Sequence, residues 1–131
     1  MQQTQMQEQE HGLVPVEPVV VDHGRAVLAY MPTEGEYNPM GSVHGGVLAT
    51  VLDTAMGYAV HSLLGDGDTF ATAELRTSYR RPVTVGAGPL RAEAGVLHQG
   101  RETALSESRL VDAEGRLFAH ATATWSVHRA A

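Results

Sequence analysis

The sequence predicts an α+β domain in which an antiparallel β-sheet wraps a long central α-helix. One observation behind this is a single long apolar segment, "HGGVLATVLDTAMGYAVHSLL", which starts on Gly45-Gly46 and is stopped by the polar "GDGD" at 65–68. A second is the change of period after it, from helical spacing to alternation. A third is the size of the alternating residues. Ala92 and Ala94, then Ala119, Ala121 and Ala123, leave room for a helix to sit close against a curved sheet.

Residues 1–12, "MQQTQMQEQEHG", are polar and Gln-rich, with neither a basic start nor an apolar run. They read as a disordered tail and not as a secretory signal. Residues 13–131 read as one domain, long enough for one core and free of internal repeats. Two short strands, Val16–Val21 and Ala26–Met31, are joined by the turn "DHGR". The loop "PTEGEYNPMGS" is punctuated by Gly and Pro. The helix is expected from His44 or Gly45 to Leu64. Four β-compatible segments follow: "DTFATAELRTSYRRP", "PLRAEAGVLHQG", "RETALSESRLVD" and "LFAHATATWSVH", with Gly-containing turns at "HQGR" and "DAEGR". In the last segment Leu117, Ala119, Ala121, Ala123, Trp125 and Val127 share one face.

Composition excludes several classes. Net charge is −6 and all nine basic residues are Arg, a poor balance for general nucleic-acid binding. Arg still offers a planar fork suited to a local phosphate. No apolar run approaches the roughly 20 residues that a membrane helix needs. There is no Cys, so disulfide and thiolate chemistry are absent and a cytoplasmic location is expected. The seven His form no H-x-H or H-E-x-x-H pair, and no metal site is expected.

Candidate site residues come from the helix. At about 100° per residue, Val47, Leu48, Val51, Leu52, Ala55 and Ala59 form its core face, with Asp53 on the flank. The residues three and four positions away, Ala49, Thr50, Met56 and Gly57, are uncharged, so no helical ion pair explains this acid. A carboxylate among small and apolar neighbours is how a general base is tuned. Gly45-Gly46 leaves backbone N–H groups unshielded at the positive end of the helix dipole, where an anion or an oxyanion would sit. Eight positions separate Gly45 from Asp53, about 12 Å along the axis. If both act on one carbon, one of them comes from a second subunit, and a two-fold dimer with antiparallel central helices supplies it.

The segment "NPMGSVHGGVLATVLDTA" resembles the helix motif of the hotdog-fold acyl-CoA thioesterases, in particular the PaaI-like branch. The likeness extends through "TAELRTSYRRPV" and "GRETALSESRLVDAEGRLFAHATATW", so that it covers Val16 to Trp125. It implies that Gly45 polarises the thioester carbonyl through its N–H and that Asp53 of the partner chain is the general base or nucleophile. It further implies that Asn38 places water or thioester, that His44 holds the loop or contacts substrate, and that the Thr72 hydroxyl orients water near the acid. Arg80, Arg81 and Arg101 are implied contacts for the phosphates of coenzyme A. Gly57 stands where a sister branch carries Thr, which leaves that role to Thr72. The implied substrate is an acyl-CoA, with no cofactor beyond the CoA it carries. The implied assembly is a homodimer or a dimer of dimers. A non-catalytic acyl-CoA-binding module and a hydratase are the alternatives; no DNA-binding segment and no second His in register speak for them. On the same reading, Glu74 and Arg76 share the strand face of Thr72 as an ion pair, and Tyr79 is a core or interface aromatic.

Overall fold

The computed structural model describes residues 14–131, so the tail expected over residues 1–12 lies outside the described residues. Strands β1 (Val16–Asp22) and β2 (Arg25–Tyr30) open the domain, and the helix α1 spans Gly45–His61. Four strands follow: β3 (Thr69–Tyr79), β4 (Leu90–Gln99), β5 (Thr103–Val111) and β6 (Leu117–His128). They form one antiparallel sheet in the order β1-β2-β4-β5-β6-β3. The helix lies against the concave face, chiefly over β4 with β2 and β5 beside it.

The β1–β2 turn places His23 at φ 48° and Gly24 at φ 82°, the two positive values that a tight type I′ hairpin needs. The Gly24 N–H donates to Ser62 Oγ at 2.8 Å, and Ser62 Oγ donates to the Ala59 carbonyl at 2.7 Å. This junction pins the C-terminal end of α1 to the hairpin. It also explains why the helix stops at His61 and not at Leu64. Ser62 is the cap, and Leu63 and Leu64 close tighter turns on Val60 and His61.

The alternating stripes behave as the pattern requires. Ala92, Ala94, Ala119, Ala121, Ala123, Trp125 and Val127 are buried in one core with Leu48, Val51, Leu52 and Ala55 of the helix. From Thr54 to Val60 the helix is buried on every side, because the sheet curls around it. A side chain such as Leu52 gains about 1.5–3 kcal/mol on full burial, more than the roughly 1 kcal/mol that each glycine at the helix head costs. Packing therefore holds α1 in place more than helix propensity does. Two polar contacts add direction: Ser108 Oγ donates to the Leu52 carbonyl at 3.3 Å, and Trp125 Nε1 donates to Ser106 Oγ at 2.8 Å.

Strand β3 carries a β-bulge. Thr72 pairs with Trp125, but Glu74 pairs with Thr124, so Ala73 is an extra residue. This overturns the shared face expected for Thr72, Glu74 and Arg76. Thr72 points with Trp125 toward the helix, while Glu74 and Arg76 lie with Thr124 and Thr122 on the outer face. Among the described residues no ion pair joins Glu74 to Arg76. Among them, too, no helix is long and apolar enough to cross a membrane.

The small-residue stripe sets a test of the packing. Ala92 is fully buried beneath α1, and Ala92→Leu should cost about 1–3 kcal/mol by overpacking. Urea unfolding measures this, and an unchanged midpoint would show that the stripe does not define the helix seat.

Candidate active site

Two groups of the expected residues gather at two places along α1. The first surrounds the helix head. His44 is the N-cap residue; its carbonyl accepts from Val47 N at 3.0 Å and Leu48 N at 3.2 Å, and its side chain is exposed and makes no cap bond. The preceding loop is held from three sides. His44 N donates to the Glu36 carbonyl at 3.0 Å, Val43 N donates to the Val83 carbonyl at 2.8 Å, and Val85 N donates to Tyr37 Oη at 2.8 Å. Glu36 is itself fixed by the buried Tyr30 phenol, which donates to Glu36 Oε1 at 2.6 Å. Burial first and then the Glu36 carboxylate hold that phenol well above its ordinary pKa, so it stays a donor.

Asn38 closes the turn within this loop. Its Oδ1 accepts from Met40 N at 2.9 Å and Ser42 N at 3.3 Å, and its Nδ2 faces Ser42 Oγ at 3.4 Å. The amide oxygen is thus engaged by the loop itself. Gly45, Leu48, Tyr79, Arg80, Arg81 and Val83 line a cavity of about 300 Å³ at this end of the domain. Backbone N–H groups of both Arg80 and Arg81 donate to the Phe118 carbonyl, at 2.8 and 3.2 Å, while their side chains stay exposed.

The second group lies further down the helix. Thr72 Oγ1 donates to Asp53 Oδ1 at 2.9 Å, across 19 residues of sequence. Asp53 is partly buried and forms no ion pair among the described residues. Burial raises its carboxyl pKa above the ordinary value, and the Thr72 hydrogen bond pulls the other way. A carboxylate held by one neutral donor and no cation keeps its basicity, which suits proton removal or attack on carbon.

Arg101 does not join Arg80 and Arg81. It lines a separate cavity of about 560 Å³ with Thr103, His128 and Arg129, near the far end of β6 from Phe118. Along β6 those ends are about 30 Å apart, so within one chain Arg101 stands apart from Arg80 and Arg81. Tyr79 is the residue whose place the sequence did not reveal: its Oη donates to the Gly45 carbonyl at 2.7 Å. Counted by strict alternation, Tyr79 and Thr72 fall on opposite faces, and only the bulge brings both to the helix.

Comparison with known proteins identifies the family. Residues 40–119 match the Thioesterase superfamily. The chain is 30% identical to acyl-coenzyme A thioesterase PaaI of Escherichia coli over 79% of its length and 71% of that protein. It is 32% identical to the proofreading thioesterase EntH of Klebsiella pneumoniae over 67% of its length and 64% of that protein. The crystal structure of a thioesterase protein of Streptococcus pneumoniae with coenzyme A superposes with a TM-score of 0.82 at 25% identity, covering 95% of this chain and 99% of that one. The chain belongs to the thioesterase superfamily, as a PaaI-like thioester hydrolase of the hotdog fold.

Proposed function

We propose that the protein is an acyl-CoA thioesterase whose sites are built across a homodimer, each from the helix head of one subunit and Asp53 of the other. The observation that carries this reading is the placement of the two groups on one straight helix, eight positions and about 12 Å apart. A single subunit cannot bring Gly45 N–H and Asp53 to the same carbonyl carbon. Two copies with antiparallel helices can, and they then make two equivalent sites. A further pairing of such dimers would leave each shared site intact. The acyl-CoA substrate is supported by the relatives whose names specify acyl-coenzyme A or a bound coenzyme A.

In the reaction, the thioester oxygen accepts from Gly45 N–H, where the helix dipole supports the negative charge that develops there. Asp53 either takes a proton from water as its oxygen bonds to the carbonyl carbon, or bonds to that carbon directly. In the first route the tetrahedral intermediate expels the CoA thiolate, leaving the free acid. In the second the thiolate leaves a mixed anhydride, which water then cleaves. In both, the C–S bond breaks and the thiolate ends as the thiol. The Thr72 hydroxyl occupies one Asp53 oxygen and aims the other. Asn38 and His44 border the carbonyl from the loop, and Arg80 and Arg81 beside the cavity face the phosphates of CoA. Arg101 would reach a CoA only from the Asp53-bearing subunit, since it lies toward that end of the domain.

Asp53→Asn keeps an acceptor for Thr72 and should lower kcat by about 10²–10⁴-fold. Free-thiol release from a panel of phenylacetyl, benzoyl and short- to long-chain acyl-CoA esters measures this, and retention of most of kcat would refute the role of Asp53. In the wild type, kcat/KM should fall on the acid side at a pH above the ordinary carboxylate value of 3.8, because burial raises the Asp53 pKa.

The same shift has a stability consequence. A carboxyl whose folded pKa is raised costs stability once pH exceeds its unfolded pKa, and the cost is complete above the folded one. Asp53→Asn should therefore unfold at a temperature equal to or above the wild type at neutral pH. Thermal scans should show that difference vanish as pH falls below both pKa values. The oligomeric claim is checked by light scattering at assay concentration, where a fully active monomer is incompatible with a shared site.

A further inference from the structure

The two glycines at the head of α1 are not equivalent. A Cβ added to Gly46 would meet nothing within 4 Å. A Cβ added to Gly45 would stand 3.1 Å from Tyr79 Cζ, 3.2 Å from Tyr79 Oη and 3.4 Å from Tyr79 Cε1. The same phenol donates to the Gly45 carbonyl at 2.7 Å, across 34 residues of sequence. Tyr79 is the last residue of β3, paired with Ala119, and the next N–H, that of Arg80, donates to the Phe118 carbonyl. Its ring is thus carried on a backbone fixed in the sheet, and the residue stays 49% exposed beside the cavity that Gly45, Tyr79, Arg80 and Arg81 line.

We propose that Tyr79 is the positioning residue for the Gly45 donor: its ring and phenol together fix the Gly45 backbone, and its ring is the reason that position 45 is glycine. Gly45 is the first residue of the helix, and its N–H belongs to the orphan donors that no helical carbonyl holds. Glycine also has the widest choice of backbone angles. That N–H lies in the peptide plane of the His44 carbonyl, which Val47 N and Leu48 N hold from one side of the residue. On its other side the Tyr79 phenol holds the Gly45 carbonyl, and the ring occupies the space next to the Cβ that any other residue would carry. This inference rests on the reading of Gly45 as the donor to the thioester carbonyl.

The test is a kinetic cycle on the full chain with an acyl-CoA ester that the wild type hydrolyses. Tyr79→Phe keeps the ring and loses the donor. It should lower kcat by about 2- to 10-fold, the range of one neutral hydrogen bond, with KM and unfolding temperature unchanged. Gly45→Ala should lower kcat about tenfold or more in the wild type, because the methyl collides with Tyr79. In a Tyr79→Ala background the same Gly45→Ala change should alter kcat by less than about twofold, a coupling that only direct contact gives. An equal Gly45→Ala penalty in both backgrounds overturns the proposal, as do wild-type kcat and KM for Tyr79→Phe. Should Tyr79→Ala not purify folded, Tyr79→Phe decides alone. Asp53→Asn is assayed alongside. If it keeps the wild-type rate, the shared-site reading fails; if it is inactive while the Tyr79 variants behave as wild type, only the role of Tyr79 fails.

Discussion

The rest of the molecule depends on a straight helix that cannot bend its own ends together. Sheet curvature buries α1 on all sides from Thr54 to Val60, and side chains such as Leu52 and Met56 are fully enclosed. So confined, the helix keeps its axial rise and holds Gly45 and Asp53 apart by a fixed distance. Its head and its middle are then fastened to the same edge strand, Gly45 through Tyr79 and Asp53 through Thr72. Because α1 and β3 run in opposite directions, the head of one meets the tail of the other. In the proposed dimer these are the two complementary halves of one site, both carried on the same helix.

The two halves differ in electrostatic character. At the helix head, backbone donors and the exposed Arg80 and Arg81 favour negative charge. At Asp53, burial raises the cost of the ionised carboxylate, and the Thr72 hydroxyl returns only part of it. No cation among the described residues neutralises Asp53. An arginine there would stabilise the ionised form and lower the basicity of the carboxylate. The proposed base is thus held at some expense in stability, as functional sites commonly are.

Loop 36–44, entered by a 3-10 turn at Glu34–Glu36 and closed by a Tyr37–Val43 bridge, is held chiefly by specific hydrogen bonds. The Tyr30 phenol holds Glu36, the Glu36 carbonyl holds His44, and Asn38 folds its own amide oxygen onto the turn. Each bond gives a backbone or side-chain polar group of the loop a partner within the protein. The loop therefore delivers His44 and Gly45 to one place without needing a strand or helix of its own.

By itself the sequence determined the element list, a helix start at His44 or Gly45, the inward stripes of β4 and β6, and the absence of a helical partner for Asp53. Those features depend on spacing within one segment, and spacing is local. The motif from Asn38 to Asp53 also disclosed the family, since its residues are close in sequence. Tertiary structure alone decided which face Thr72, Glu74 and Arg76 occupy, because one bulged residue at Ala73 reverses the alternation beyond it and is set by pairing with β6. It also decided that Tyr79 touches Gly45, and that Arg101 stands at the opposite end of β6 from Arg80. These are relations between segments distant in the chain, fixed by strand register and helix seating, and no period within a single segment encodes them.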